Sequence, residues 1–455
     1  MNSSFFGDML QSIAERGRSL LDSTLTREPH QARSDNLVQL CEELLSGRGE
    51  ASGVALASEI LASYSQLTIG PRIAFFETLA TRFGPDRARL DAAIVAWGAS
   101  QSDETAAELH HAAEPRRQEL FRRLNLAPGG TVALVRMREQ LLDALDHRDD
   151  LAAVDADFVH LFSSWFNRGF LVLRRIDWST PANVLEKIIK HEAVHKIRSW
   201  DDLRRRVDPP DRRCYAFFHP AMVDEPLIFV EVALSTQIPD AIAPILAVKR
   251  DELAPEKTTT AAFYSISNCQ RGLAGVSFGH FLIKQVVEEI SRDIPRLSTF
   301  VTLSPAPGFA AWLRRERNAE GSKILPPEDR EALTHLDTDG WWQVPKTREP
   351  VEGALMRAAA YYFLHARNKR GLPTDPVARF HLGNGARLER LNFLGDGSEN
   401  GIRQACGVMV NYLYSLDDIE KNHEAFAQNR TVVASNAVKR MVRAAPAELV
   451  PLKAG

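Results

Sequence analysis

The stretch from Thr260 to Ser304, TAAFYSISNCQRGLAGVSFGHFLIKQVVEEISRDIPRLSTFVTLS, constrains the chain more than any other. Phe263 to Ile266 is apolar and aromatic, which predicts a strand. Gly272, Gly275 and Gly279 interrupt it. Phe281, Ile283, Val286, Val287 and Ile290 then recur at helical spacing, with Glu288 and Glu289 between them. Leu297 to Leu303 predicts a second strand. A glycine-rich turn opening a helix lets backbone N–H groups approach an anion, and the helix N-terminus supplies about half a positive charge. The loop is therefore a candidate phosphate cradle. Its spacing is neither G-x-G-x-x-G nor a Walker loop ending in Lys-Ser/Thr, which argues against a dinucleotide fingerprint and against nucleotide hydrolysis. Glycine loops before helices also arise for purely structural reasons, so this one signal does not decide function.

The chain around that unit has 455 residues, enough for two substantial cores. A net charge of −3 gives no electrostatic reason to expect nucleic acid. The short clusters Arg204-Arg205-Arg206 and Arg212-Arg213 are interrupted by Asp208, Asp211 and two prolines, and read as solvated faces. Cys41, Cys214, Cys269 and Cys406 form no C-x-x-C pair, which argues against a disulfide framework or a zinc knuckle and fits a reducing cytoplasm. No apolar run approaches the roughly 18 residues of a membrane span. Asp8, Glu15 and Asp22 in the amphipathic N-terminal stretch argue against a transit peptide.

From about Asn36 to Phe170 the apolar periodicity is helical. Stripes include Leu37, Leu40, Leu44 and Leu45; Val54, Ala57, Ile60, Leu61 and Tyr64; Phe75, Phe76, Leu79 and Phe83; and Leu90, Ala93, Ile94 and Trp97. Later ones run through Val132, Leu134, Met137, Leu141, Leu142 and Leu145, then Leu151, Val154, Phe158, Leu161 and Phe162. The texture changes near Gly169. Beyond it strands at 214–218 and 227–234 mix with helices, and the expected class is α+β. Residues 1–168 form a helical domain and 169–455 a mixed one. A proline-rich loop is expected from Asn318 to Pro350, with Trp341 and Trp342 packed. Asp375-Pro376 reads as an N-cap and first helical residue of a short helix ended by Gly383. Residues 386–394 predict a strand and 432–443 a last helix. Stripes such as Leu37 to Leu45 exceed what one small bundle buries, which predicts self-association through the helical domain.

Three places carry candidate chemistry. His191-Glu192-Ala193-Val194-His195 matches H-E-x-x-H, which on a helix presents two imidazoles to zinc with the glutamate as base. Its nearest third ligands, His219 and Glu225, sit beside Pro220 and Pro226, a poor frame for a metal site. The expected reading is surface histidines on an exposed helix face, with no metal. Ser304 follows a strand and precedes a proline-fixed turn, which places its hydroxyl at a strand end where such sheets put ligands. His381 lies near the end of the short helix, where the dipole favours the protonated form, as suits a proton donor.

Taken together, FYSISNCQRGLAGVSFG, STFVTLSPAPGF, ARFHLGNGARLERLNFLGD and CGVMVNYLY resemble the malonyl-CoA decarboxylase family, supported by RRCYAFFHPAMVDEPLIFVEVAL and FNRGFLVLRRIDW. The resemblance covers most of the chain in order. It implies an N-terminal helical domain followed by a domain similar to GNAT-type acyltransferases, whose loop cradles the coenzyme A pyrophosphate. The matching loop is Ala274, Gly275, Val276, Ser277, Phe278, Gly279 and His280. The family's catalytic serine falls on Ser304, its histidine on His381 and a supporting tyrosine on Tyr414. Ser304 and His381 then also contact substrate. The implied reaction is malonyl-CoA to acetyl-CoA and carbon dioxide without a cofactor, in fatty acid metabolism, by a cytoplasmic homo-oligomer, a dimer or tetramer. The family pattern carries a carboxylate where this chain has Ser277, so no acid is assigned there. The first histidine of the apparent zinc motif also departs from the pattern.

The chemistry of the residues agrees. Losing carbon dioxide from a malonyl thioester leaves an enolate that the thioester delocalises, donors aimed at its oxygen lower the barrier, and a positioned acid must protonate the new methyl group. A coenzyme A-dependent acyltransferase is the first alternative, since the same cradle serves it. A zinc peptidase and a non-enzymatic helical scaffold follow.

Overall fold

A computed structural model describes residues 34–46, 50–276, 282–319, 322 and 324–442. The amphipathic N-terminal stretch, and Ser277, Phe278, Gly279 and His280 of the glycine loop, lie outside the described residues. The chain divides into two units, one of residues 1–172 with 218–227 and 270–278, the other of 173–217, 228–269 and 279–455.

The first unit is helical, as the stripes predict. Its helices are α1 (Ser34–Leu45), α2 (Glu50–Ser65), α3 (Ile69–Thr81), α4 (Arg87–Ala99), α5 (Asp103–Ala113), α6 (Arg116–Asn125), α7 (Gly130–Leu145) and α8 (Ala152–Trp165). Leu37, Leu40 and Leu44 of α1 are wholly buried, as are Ile60 of α2, Phe75 and Leu79 of α3, Leu134 and Leu141 of α7 and Phe158 and Phe162 of α8. Phe121 stacks on Phe158 at 4.1 Å between centroids. The Leu37–Leu44 stripe is thus satisfied within the unit and gives no surplus for self-association. The surplus lies on α4, whose expected stripe buries only Ala93 and leaves Ile94 at 51% exposure, next to Val95 at 72% outside that stripe. Asp157 in α8 accepts from Arg117 Nε at 2.5 Å and from Gln118 Nε2 at 2.6 Å, pairing a charge that would otherwise be costly to bury.

The second unit is built on an eight-stranded mixed sheet. Its strands are β1 (Val172–Ile176), β2 (Arg212–Phe218), β3 (Pro226–Ser235), β4 (Thr260–Asn268), β5 (Thr299–Thr302), β6 (Ser304–Pro305), β7 (Arg387–Asn392) and β8 (Met409–Tyr414). They are ordered β1-β2-β3-β4-β5-β8-β6, with β7 also on β8. β4 runs antiparallel to β3 and parallel to β5, but the parallel pairing lasts only from Thr260↔Thr299 to Phe263↔Thr302. Past that point β4 continues to Asn268 on β3 alone, so a wedge opens between it and β6. The helix Leu282–Asp293 buries Ile283, Val286, Val287 and Ile290 of the predicted face together with Leu282, while Phe281 lies outside the described residues. The α+β class, with helices first, is as expected.

Several expectations change. The stretch 318–350 is not a continuous loop: it holds the short helix Pro327–Ala332, a 3-10 segment and the start of the helix Pro345–Leu364. Pro327 and Pro345 open these two helices, where the missing N–H costs no intrahelical bond, while Pro350 sits inside the second and gives up one. The final helix is Asn436–Met441, begun by the Ser435 side chain accepting from Val438 N. The arginine clusters are not solvated faces throughout. Arg206, Arg212 and Arg213 are buried, and Arg206 Nη1 donates to the Glu231 carboxylate at 3.2 Å in the middle of β3.

Candidate active site

Thr302 and Ser304 are two residues apart in extended chain, so their side chains share a face. The antiparallel register runs from Val301↔Leu413 to Ser304↔Val410, and the sheet ladder is interrupted between these pairs. There side chains replace backbone partners. Tyr412 N donates to Thr302 Oγ1 at 3.2 Å, and Asn411 Nδ2 donates to the Thr302 carbonyl at 2.8 Å. The interruption holds the Thr302 hydroxyl still, and Ser304 Oγ donates to it at 2.9 Å.

His381 comes from the helix Pro376–Gly383, which begins as the sequence predicts. Asp375 caps it by accepting from Ala378 N at 2.9 Å, and Pro376 is its first residue. His381 Nε2 lies 3.1 Å from Ser304 Oγ and its Nδ1 lies 2.8 Å from Tyr414 Oη. The ring stacks on Tyr412 at 4.6 Å between centroids and meets Tyr414 edge-on. Since the one Ser304 hydrogen is directed at Thr302, the neutral imidazole assigned from this network carries its hydrogen on Nε2 and accepts from the Tyr414 hydroxyl at Nδ1. Three residues distant in sequence thus form one chain, Tyr414–His381–Ser304.

Burial decides the charge of that chain. Desolvation takes His381 down to about 3 and raises the Tyr414 hydroxyl well above its ordinary value. The expectation that the helix dipole favours imidazolium is overturned. The dipole at the end of a helix is worth at most about 2 kcal/mol, while removing a cation from water costs several. The histidine is a neutral donor and acceptor.

Ser304, Pro305, Pro376, Val377, Phe380 and His381 face Phe263 to Ile266 of β4 across a cavity of about 230 Å³, which Val194 and Asn268 also line. This is the wedge left where β4 and β5 part. Its walls are apolar apart from a few polar groups on both sides, as in a site for a small polar substituent on a longer ligand.

The H-E-x-x-H segment is neither a zinc helix nor an exposed one. His191 is the last residue of its helix, and Glu192 is already extended at ψ 107, so the two imidazoles do not share a helix face. Glu192 is buried. One oxygen accepts from Val194 N and His195 N at 2.8 and 2.7 Å, the other from Ser265 Oγ and Ser267 Oγ at 2.7 and 3.4 Å. It ties the segment lining the cavity to β4. His195 is largely buried, which lowers its pKa to about 4. His219 Nε2 is 3.0 Å from the Trp165 carbonyl and Glu225 pairs with Arg136, so both suggested third ligands are engaged elsewhere.

Of the loop, Ala274, Gly275 and Val276 are described. Gly275 has φ +77 with nothing within 4 Å of where a side chain would start, so glycine there serves conformation rather than space. Sequence reasoning missed Thr302, Tyr412 and Glu192. The T-x-S and Y-x-Y spacings, which put alternate side chains on one face, would have pointed to the first two. Nothing local marks Glu192 as buried.

The fold defines a protein of two units, one helical and one built on a mixed sheet that carries the buried Tyr414–His381–Ser304 chain. Residues 169–450 match the family model for the malonyl-CoA decarboxylase C-terminal domain, and residues 83–166 that for the N-terminal domain. The chain belongs to the malonyl-CoA decarboxylase family. It is 36% identical to "Malonyl-CoA decarboxylase, mitochondrial" of Anser anser anser over 95% of this chain and 90% of that one. The crystal structure of malonyl-CoA decarboxylase from Rhodopseudomonas palustris is similar at 59% identity and a TM-score of 0.87, covering 90% of this chain and all of that one. The one from Agrobacterium vitis matches at 58% identity and 0.86, over 89% and 99%.

Proposed function

We propose that the chain converts malonyl-CoA to acetyl-CoA and carbon dioxide, with Ser304 and His381 managing the proton and the loop of residues 274–280 holding the coenzyme A pyrophosphate. The observation that carries this reading is the uncharged Tyr414–His381–Ser304 chain ending on the wall of the cavity. When the bond to the carboxylate breaks, its electron pair passes into the thioester as an enolate, and carbon dioxide leaves. Ser304 O–H gives its proton to the methylene carbon, His381 Nε2–H refills Ser304, and Tyr414 O–H refills Nδ1. After product leaves, a water in the cavity gives one proton to His381 Nε2 as the Nδ1 hydrogen returns to the Tyr414 oxygen, which restores the hydroxyl and the starting tautomer together. Ser304 and His381 each pass on one proton as they gain another, so no buried imidazolium need form and the proton deficit rests on the Tyr414 oxygen until the cycle closes. The thioester itself is the electron sink.

The test is purified protein with malonyl-CoA alone, with and without a chelator, followed by acetyl-CoA formation and carbon dioxide release. Product without any acceptor supports the reading. Turnover only when an amine acceptor is added identifies an acyltransferase instead, and loss of activity to chelator alone overturns the metal-free chemistry.

The proposal extends to assembly and compartment. A homo-oligomer is now expected through the exposed apolar residues of α4, Ile94 and Val95, rather than through α1. Light scattering at the monomer mass at micromolar concentration contradicts it. The cytoplasm is kept as the proposed compartment. It fits four free cysteines, and among the described residues no helix is long and apolar enough to cross a membrane.

A further inference from the structure

Arg138 of α7 has a side chain only 2% exposed. A guanidinium buried to that degree is stable only if its donors are spent. Its Nε donates to Asp155 Oδ1 at 2.7 Å and one Nη to Oδ2 at 3.4 Å, a two-point pairing with α8. The other Nη donates to two carbonyls at once, Gly272 O at 2.8 Å and Ala274 O at 2.7 Å. One nitrogen therefore grips the backbone on both sides of Leu273, directly before Gly275. The grip is close because Gly272 lies against the same face of α7: a Cβ there would fall 2.0 Å from the Val135 carbonyl. Val135 and Arg138 are three residues apart on one helix and so are neighbours on its surface.

The peptide between Ala274 and Gly275 is trans and planar, so its N–H points opposite to its C=O. Because Arg138 holds the Ala274 carbonyl, the Gly275 N–H is aimed away from α7. The positive φ of Gly275 then turns the chain onward from that fixed peptide. We infer that the Arg138–Asp155 pair is a strut that orients the Gly275 peptide as a donor to the substrate's pyrophosphate, making Arg138 a positioning residue that sets coenzyme A affinity without touching substrate. The inference rests on the reading of this loop as the pyrophosphate cradle.

The experiment compares malonyl-CoA with malonyl-pantetheine, which keeps the reacting thioester but lacks the pyrophosphate. In Arg138→Gln, KM for malonyl-CoA should rise about tenfold with kcat within a few-fold, because one orienting charge-assisted bond to the loop is worth about 1.4 kcal/mol. Turnover of malonyl-pantetheine should match the wild type. Arg138→Lys, which can still reach a carbonyl, should recover part of the affinity. Asp155→Asn, more exposed and more easily tolerated, should show the same substrate dependence at a few-fold and should be non-additive with Arg138→Gln. If Arg138→Gln fails to fold, Asp155→Asn decides the matter by the same comparison. Equal losses on both thioesters, or none on either, in a folded variant overturn the strut. Gly275→Asp separates the two claims. If it leaves affinity intact, the loop is not the cradle; if it weakens binding while Arg138→Gln does not, only the strut fails.

Discussion

His381→Asn should make the protein more resistant to acid while nearly abolishing turnover. In the folded chain His381 titrates at about 3 because it is buried, against 6.5 for an ordinary histidine. The unfolded chain therefore binds the proton first. Stability is unaffected by this group well above pH 6.5 and is lost as pH falls from there toward 3. At about pH 5 the gap is roughly 1.5 units, which at 1.36 kcal/mol per unit is about 2 kcal/mol of stability lost relative to about pH 7.5. Asparagine keeps the polarity and approximate size but cannot titrate. His195, lowered to about 4, contributes with the same sign, and Glu231, raised by burial to about 8, with the opposite sign. Both are present in wild type and variant, so the difference isolates His381. Urea unfolding at the two pH values, extrapolated to water, measures it. The wild type should lose about 2 kcal/mol more than the variant. Equal losses, within about 0.5 kcal/mol, would show that the folded imidazole keeps an ordinary pKa near 6.5 and that burial does not hold it uncharged.

Replacing Ser304 by Ala or His381 by Asn should each lower kcat on the order of a hundredfold, and the double variant should cost little beyond the worse single one, because both act on one proton path; additive losses refute a shared path. KM should stay within a few-fold in both, as neither is expected to hold the coenzyme A moiety. Gly275→Asp should weaken thioester binding by roughly tenfold or more by calorimetry, since a carboxylate then faces the pyrophosphate, while Asp tolerates the left-handed conformation well enough to fold. His191→Ala should be nearly silent in turnover. Glu192→Ala should lose about 2–4 kcal/mol of stability, because four donors lose a buried acceptor, and Glu192→Gln much less, since an amide can still accept from the backbone pair and donate to the serines. Abolished activity in a well-folded Glu192→Gln would restore a catalytic role to that carboxylate.

The sequence alone determined what depends on neighbours along the chain. Helical stripes placed the first unit, the run from Thr260 to Ser304 gave β4, the helix Leu282–Asp293 and β5, and Asp375-Pro376 gave the start of the helix that bears His381. These are short-range regularities of spacing and capping, and they survive folding unless burial overrides them. The residues of the candidate site were legible one by one through the family resemblance. What only the tertiary structure decided is their meeting and their charge. Ser304 and His381 are 77 residues apart and His381 and Tyr414 another 33, and the interrupted β8 ladder that joins them appears in no local pattern. The same holds for H-E-x-x-H, where the helix ends at the first residue of a legible motif and the carboxylate is spent on β4. Arg138 shows the converse, an ordinary helical arginine in sequence that becomes the anchor of a loop more than a hundred residues away. Spacing fixes which side chains share a face. Desolvation fixes which of them remain charged, and that depends on everything packed around them.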